Sequence, residues 1–336
     1  EARLQAVVRQ PLYAGGGLRA ATERAAADVE SAAAKYRIAE KDLELEVRSR
    51  FSEMLEASAE VLVRREGIDR LDTYRSSLRG RQASGQGVAT DLLKTEVRLA
   101  LEHSAVAEAE QRLDQARLAL NESMGRDPAG PLELEPEPLP TAPGPGTASA
   151  WEGAPEIAAA EAEARSVRAQ LAVARAERRP HLFANADGGF WTSDTTHLHS
   201  AFWDRLWGNA GYSFSLVLSW PVWDAGGARA RISAAELGLQ QTAHRLEIQR
   251  RDVRLNFEQA QAAARHLYEQ IEILSRVAPD ARDSYLQAES RYRGGAATAL
   301  EVLDAYTASV DAAVQLHAAI ARYRIAQAVV LRWSEP

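Results

Sequence analysis

The sequence predicts a mainly α-helical protein with a small β part, built as two copies of one unit. Three observations carry this: an internal repeat, two helical stretches far longer than a globular norm, and short strands whose residues alternate between apolar and hydroxyl-bearing. The repeat is plainest at Pro11-Leu12-Tyr13-Ala14-Gly15-Gly16-Gly17-Leu18-Arg19, which returns as Pro221-Val222-Trp223-Asp224-Ala225-Gly226-Gly227-Ala228-Arg229 at an offset of 210. Arg81 and Gly85 return as Arg291 and Gly295 at the same offset, while Phe51 matches Phe257 at 206, so small compensating insertions separate the anchors.

Each unit begins with a strand, Leu4 to Tyr13 in the first copy. In the second, Tyr212, Phe214, Leu216, Leu218 and Trp220 alternate with Ser213, Ser215, Val217 and Ser219, which gives one apolar face and one mostly hydroxyl face. His181 to Trp191 reads as a further strand, with Leu182, Ala184 and Ala186 opposed by Asn185 and Asp187; a polar loop containing Trp203 and Trp207 joins the two. Any one of these strands would suit a soluble sandwich. Alternating strands of about ten residues with aromatic ends and a long loop on one side fit an outer-membrane barrel hairpin.

After each Gly-rich turn comes a long helix, Leu18 to Ser84 and Ala228 to Arg293, with Pro279 the single proline in either. At about 1.5 Å per residue the first spans roughly 100 Å, wider than a small domain, so such helices must pack side by side along their length. Ala25, Ala26, Ala27, Ala32, Ala33 and Ala34 permit close approach. Each helix ends at glycines, Gly85-Gln86-Gly87 or Gly294-Gly295, and a second helix follows, Thr90 to Met124 or Thr298 to Trp333. Thr90 or Asp91 is expected to cap the first of these and Thr298 the second, making each unit an antiparallel helical hairpin with a glycine tip. A Pro-rich linker, Pro128 to Pro145, precedes a helix from Pro155 to Arg178. The domain organisation is thus 1–127, a partial first repeat of strand and hairpin; 128–150, the linker; and 151–336, a second repeat of helix, β-hairpin and helical hairpin. Opening directly on a strand, the chain reads as truncated at its N-terminus, with any signal peptide or lipid anchor outside it.

Composition removes several function classes. Forty basic against 47 acidic groups give a net charge of −7, and no stretch concentrates Lys and Arg next to aromatic residues, which argues against nucleic acid as partner. With no cysteine there is neither a disulfide framework nor a thiolate metal site. No run approaches the roughly 18 apolar residues of a spanning helix, so a membrane role must use strands. Gly15-Gly16-Gly17 lacks the Gly-Lys-Ser/Thr of a phosphate loop and is better explained as a tight exit from a strand. His197 and His199 flank Leu198 without carboxylate or thiolate neighbours and read as an incidental pair; the other histidines are scattered. Neither a catalytic constellation nor a cofactor is expected.

The quoted residues resemble the TolC-like outer-membrane efflux family over nearly the whole chain. Pro155-Glu156-Ile157 with Arg179-Pro180-His181-Leu182 resembles its helix entering the barrel, and Trp220 through Gly227 its barrel-to-helix turn. Arg291-Tyr292-Arg293-Gly294-Gly295 with Leu300 to Ala305 resembles its hairpin tip, and Arg81 through Asp91-Leu92-Leu93 is the partner copy. The resemblance implies a homotrimer in which each complete protomer gives four strands to a shared twelve-stranded transmembrane β-barrel in outer-membrane lipid. An α-barrel tunnel would continue it across the periplasm of a Gram-negative bacterium.

Such a channel is a passive conduit for small molecules, metals or proteins, energised by an inner-membrane pump through a periplasmic adaptor. The alternative is a soluble coiled-coil scaffold. On the same resemblance Glu301 and Asp304, three apart on one helix face, line the tunnel mouth, where a trimer gathers six carboxylates; Asp91 and Tyr292 help tie the hairpins closed. Gly85, Gly87, Val88, Thr90, Gly295, Ala296, Ala297 and Thr298 form the tips that meet the adaptor. Ala297 stands where the family often has a basic residue.

Overall fold

The computed structural model describes residues 2–85, 88–132, 134–135, 138–143, 150–192 and 210–334. In chain order these form β1 (Ala2–Ala14), α1 (Gly17–Ala83), α2 (Ala89–Ser123), a 3-10 turn (Ala150–Gly153), α3 (Pro155–Ala176), β2 (His181–Thr192), β3 (Ala210–Ser219), α4 (Gly227–Arg293) and α5 (Ala299–Ser334). Each element read from the sequence is present, with ends within two residues of those expected. Trp220 lies just past β3, where its indole N–H donates to the Arg178 carbonyl at 3.3 Å. Among the described residues no helix is long and apolar enough to cross a membrane. Two compact units form, residues 1–36 with 155–251 and residues 37–154 with 252–336, so both repeats contribute to each.

The first unit holds an antiparallel sheet in the order β1-β2-β3. Directly opposed residues share a face, and the register sets Val8 across from Ala186 and Ala186 across from Phe214, while Arg9 faces Asn185 and Asn185 faces Ser215. One face therefore carries Leu182, Ala184, Ala186, Tyr212, Phe214, Leu216 and Leu218, and the other Phe183, Asn185, Asp187, Ser213 and Ser215. The register slips between Pro11 and Tyr13, which brings Tyr13 opposite Leu182. Proline lacks the N–H of a ladder bond, and β1 is an edge strand, where a bulge at proline is tolerated.

The two copies of the Gly-rich turn share a backbone but not their neighbours. Gly15 and Gly16 have φ of 60° and 89°, and their counterparts Ala225 and Gly226 have 54° and 91°. A Cβ on Gly15 would sit 2.7 Å from the Arg179 Cβ and 2.8 Å from the Ala176 carbonyl, because the end of α3 packs there. In the second copy Asp224 accepts from the N–H groups of Gly226 and Ala228 and caps α4.

An antiparallel ladder joins α3 to the start of α4: Glu177–Arg231 at 2.9 Å, Arg175–Glu236 at 2.8 Å and Glu161–Arg250 at 2.6 Å. These side chains are about half exposed, so each pair contributes less than about 1 kcal/mol and chiefly fixes register.

In the second unit the hairpins α1–α2 and α4–α5 bury Leu71, Tyr74, Leu99, Tyr285, Val302, Tyr306 and Val310 in one cluster, and Ile271, Leu274, Ile320 and Tyr323 in another. Each buried Leu, Ile or Val among them contributes about 1.5–3 kcal/mol. Between α1 and α2 the buried carboxylates of Glu60 and Glu102 meet Arg64 at 2.8 and 3.6 Å, and Arg112 reaches Glu60 at 2.7 Å. The linker is tied down: the Asn121 amide donates to the Pro128 and Gly130 carbonyls, and the Tyr323 hydroxyl to that of Thr141 at 2.7 Å.

The tightest approach is Gly67 against Tyr306, where an added Cβ would lie 2.6 Å from the phenolic oxygen of a fully buried ring. Gly67→Ala should lower stability by about 1–3 kcal/mol through overpacking, despite the better helix propensity of alanine. Gly80→Ala, where nothing lies within 4 Å, should stabilise by up to about 1 kcal/mol. Thermal unfolding of both variants checks the contrast; equal midpoints would refute it.

Candidate functional site

The site is built at the breaks between α1 and α2 and between α4 and α5. The second break closes itself. Gly295 takes φ of 74° and donates to the Tyr292 carbonyl at 3.0 Å, and Ala296 donates to the Arg291 carbonyl at 2.8 Å, the paired bonds of a Schellman stop. Thr298 then caps α5 as expected, its hydroxyl oxygen accepting from the Glu301 N–H at 3.3 Å. In return Glu301 Oε1 accepts from the Thr298 N–H at 3.3 Å and hydroxyl at 3.1 Å, completing a capping box. Gly295, Ala296 and Thr298 are exposed, and Ala297 is half-buried against the core.

The first break differs. Gly85 has φ of 76° and donates to the Gln82 carbonyl, but the N-cap position of α2 is Val88, which offers no side-chain cap. The expectation that Thr90 or Asp91 caps α2 is therefore corrected: both lie inside its first turn. Asp91 is engaged elsewhere, since its Oδ2 accepts the Tyr292 hydroxyl from α4 at 2.9 Å. Val88 and Thr90 are exposed, whereas Gly87 lies outside the described residues, as do His197 and His199.

The structure thus brings Asp91 and Tyr292 together and leaves Glu301 and Asp304 on the exposed face of α5. Glu301 also lies 4.0 Å from the Arg291 guanidinium. Burial first, and then the bond to Asp91, raises the Tyr292 pKa above its ordinary value. Nearby, burial pushes Tyr285 up to about 12. The sequence reading missed the role of Arg81, which donates to the Tyr292 carbonyl at 2.7 Å and holds its guanidinium carbon over the ring, 5.1 Å from the centroid. Its place as a repeat anchor was the available signal. No group of three His, Cys, Asp or Glu side chains poised for a metal occurs among the described residues.

A model of the family described as outer membrane efflux protein matches residues 2–126 and 148–332. A probable efflux pump outer membrane protein, TtgC of Pseudomonas putida, is 24% identical over 245 residues, which cover 70% of this chain and 49% of the relative. The chain spans about half the length of the curated relatives it matches. Among solved structures, the open-state outer membrane channel MtrE of Neisseria gonorrhoeae superposes with a TM-score of 0.81 at 20% identity, covering 99% of this chain and 79% of that one. The outer membrane protein VceC of Vibrio cholerae gives 0.82 at 17% identity, with 99% and 86% covered.

Tyr292→Phe should remove about 1.5–3 kcal/mol of local stability, the range for a hydrogen bond to a charged group, and Asp91→Ala should do the same. Hydrogen exchange should accelerate over 89–95 while the α1–α5 core is unchanged. Because the Tyr292 pKa is raised on folding, this bond is fully present below about pH 10 and is lost as pH rises through the folded-state value. Exchange over 89–95 that is insensitive to Tyr292→Phe would overturn the assignment.

Proposed function

The chain belongs to the outer membrane efflux protein family, and from that premise we propose that it lines the outer-membrane channel of a tripartite efflux or secretion system. One observation carries the reading: Tyr212, Phe214, Leu216 and Leu218 project 93, 73, 62 and 68% exposed from one face of a sheet whose other face carries Arg9, Asn185, Asp187, Ser213 and Ser215 beside Val7, Phe183 and Val217. An apolar strip of this kind needs a non-aqueous partner, and period-two alternation fits lipid outside and a wet lumen inside. Within a bilayer the edges β1 and β3 cannot stay unpaired, because no water satisfies their N–H and C=O groups. Closure with strands of two further copies, a homotrimer, answers that demand.

The channel is a passive conduit. Its helical hairpins stand in the periplasm, their tips at Gly85, Val88 and Thr90 and at Gly295, Ala296, Ala297 and Thr298 meet a periplasmic adaptor, and an inner-membrane pump selects the cargo. At the mouth, Asp91 and Tyr292 hold the two hairpins together while Glu301 and Asp304, repeated around the axis, form an acidic ring. The fold of the related channels and the pump named for the curated relatives support this reading.

Leu216→Arg should abolish detergent-extractable, heat-resistant trimers, since a cation facing the bilayer core costs about 2–4 kcal/mol, while Ser215→Arg should assemble normally. A water-soluble wild-type monomer or dimer would instead favour the coiled-coil scaffold.

For the mouth, planar-bilayer currents should be cation-selective and blocked by a trivalent cation from the helical side. Glu301→Gln with Asp304→Asn should weaken both, and glutamine retains the capping box, so a structural loss is avoided. Unchanged block in the double variant would return both carboxylates to an ordinary solvated face.

A further inference from the structure

We propose that the aliphatic and aromatic pair carried into each Gly-rich turn, Leu12 with Tyr13 and Val222 with Trp223, seats in the headgroup boundary of a phospholipid leaflet and sets the depth of the sheet in the membrane. The proposal rests on the channel reading above and adds the contact that fixes the sheet against lipid. The two pairs hold equivalent places in the repeat, directly after Pro11 and Pro221. Leu12 and Tyr13 are 56 and 50% exposed, and Val222 and Trp223 are 78 and 86% exposed. Two large apolar side chains left open side by side, in both copies, call for one kind of partner.

The backbone aims both aromatics. Were the ladder unbroken beyond the pair of Pro11 with Phe183, Tyr13 would stand opposite His181, on the face of Arg9 and Asn185. The bulge sets it opposite Leu182, which itself faces Leu218, so the phenol ends the apolar face instead. Gln10, across from Ala184, lies on that face as well and marks where it turns from apolar to amphipathic. Trp223 is presented by a braced turn: Asp224 accepts from the N–H groups of Gly226 and Ala228, and Trp220 is fastened to the Arg178 carbonyl. An indole or phenol joins an apolar ring to a hydrogen-bonding group, which suits the headgroup level better than the hydrocarbon core. Six positions after each aromatic comes an exposed cation, Arg19 or Arg229, in the first turn of its helix, placed to complement lipid phosphates. The pair of Arg19 with Glu23 is solvent-exposed and holds that cation only weakly.

The chain has no cysteine, so single substitutions can each carry one spin label. The detergent-extracted protein is reconstituted in vesicles of phosphatidylethanolamine and phosphatidylglycerol, and the access of oxygen and of a water-soluble nickel chelate to each label is read by power saturation. Labels on Leu12→Cys and Val222→Cys should be severalfold less open to the chelate than one on Ser233→Cys, an exposed position further along α4, and less open to oxygen than one on Leu216→Cys. Removing both rings, Tyr13→Ala with Trp223→Ala, should release the depth and raise chelate access at Leu218→Cys severalfold, whereas Trp223→Tyr should leave it as in the wild type. If the doubly substituted protein fails to assemble, the labels at 12 and 222 still decide, because both rings are intact there. Chelate access at 12 and 222 equal to that at 233, with the label at 216 protected, would overturn the anchor and leave the channel reading standing. A label at 216 as open to the chelate as the one at 233 would strike the channel reading and the anchor with it.

Discussion

The helical part depends on one close contact, the Tyr306 ring of α5 against the bare backbone of Gly67 in α1. A helix of 67 residues does not bury an apolar seam by itself and gains most of its stability from packing against its neighbours. Gly67 lets α5 approach closely enough for Tyr306, Val302 and Val310 to leave water almost completely. The same contact fixes the rotation of α5. With Ala299, Val302, Leu303, Tyr306 and Val310 turned inward, helical periodicity leaves Glu301 and Asp304 no place except the outer face. The acidic pair is thus positioned by core packing a turn away, not by bonds of its own at Asp304.

Much of this was legible because glycine and alternation leave strong marks. The turns at Gly15-Gly16 and Gly226, the stops at Gly85 and Gly295 and the strand period at Tyr212 to Leu218 each rest on a local rule, and each appears where the rule puts it. What stayed hidden depends on partners distant in sequence. Asp91 looks like a capping residue when read locally, yet its carboxylate meets Tyr292, 201 positions away, and the helix it was expected to cap begins uncapped at Val88. Arg81 was visible only as a repeat anchor; its bond to the Tyr292 carbonyl spans 211 positions. The capping box of Thr298 and Glu301 was the exception, a local pattern in plain view that gives Glu301 a structural task besides its charge.

Divergence between the repeats has a physical cause at the barrel end. Both turns use left-handed backbone at the same two positions, which glycine adopts freely and alanine only at some cost. Alanine is accepted at 225 because no helix end presses on that turn as α3 presses on Gly15, where Arg179 also donates to the carbonyl at 2.8 Å. The second turn instead draws on Asp224, a side chain the first copy lacks. One backbone shape is thus held by two different sets of contacts, the end of α3 against Gly15 in the first copy and the Asp224 carboxylate in the second.

The tips repeat this asymmetry with a mechanical consequence. The tip of the second repeat is complete in itself, stopped by Gly295 and Ala296 and restarted by Thr298 and Glu301. That of the first repeat has no side-chain cap at Val88, and its early carboxylate is committed to Tyr292 on α4. Arg81 from α1 reaches the same residue, so both arms of the first hairpin are anchored to one tyrosine of the second. The dependence runs one way: displacing Tyr292 frees the start of α2 and the end of α1 together, whereas fraying of the first tip leaves the second tip's own closures intact. A partner that bends α4 at Tyr292 would therefore move both hairpins, while one that grips only the first tip would move one.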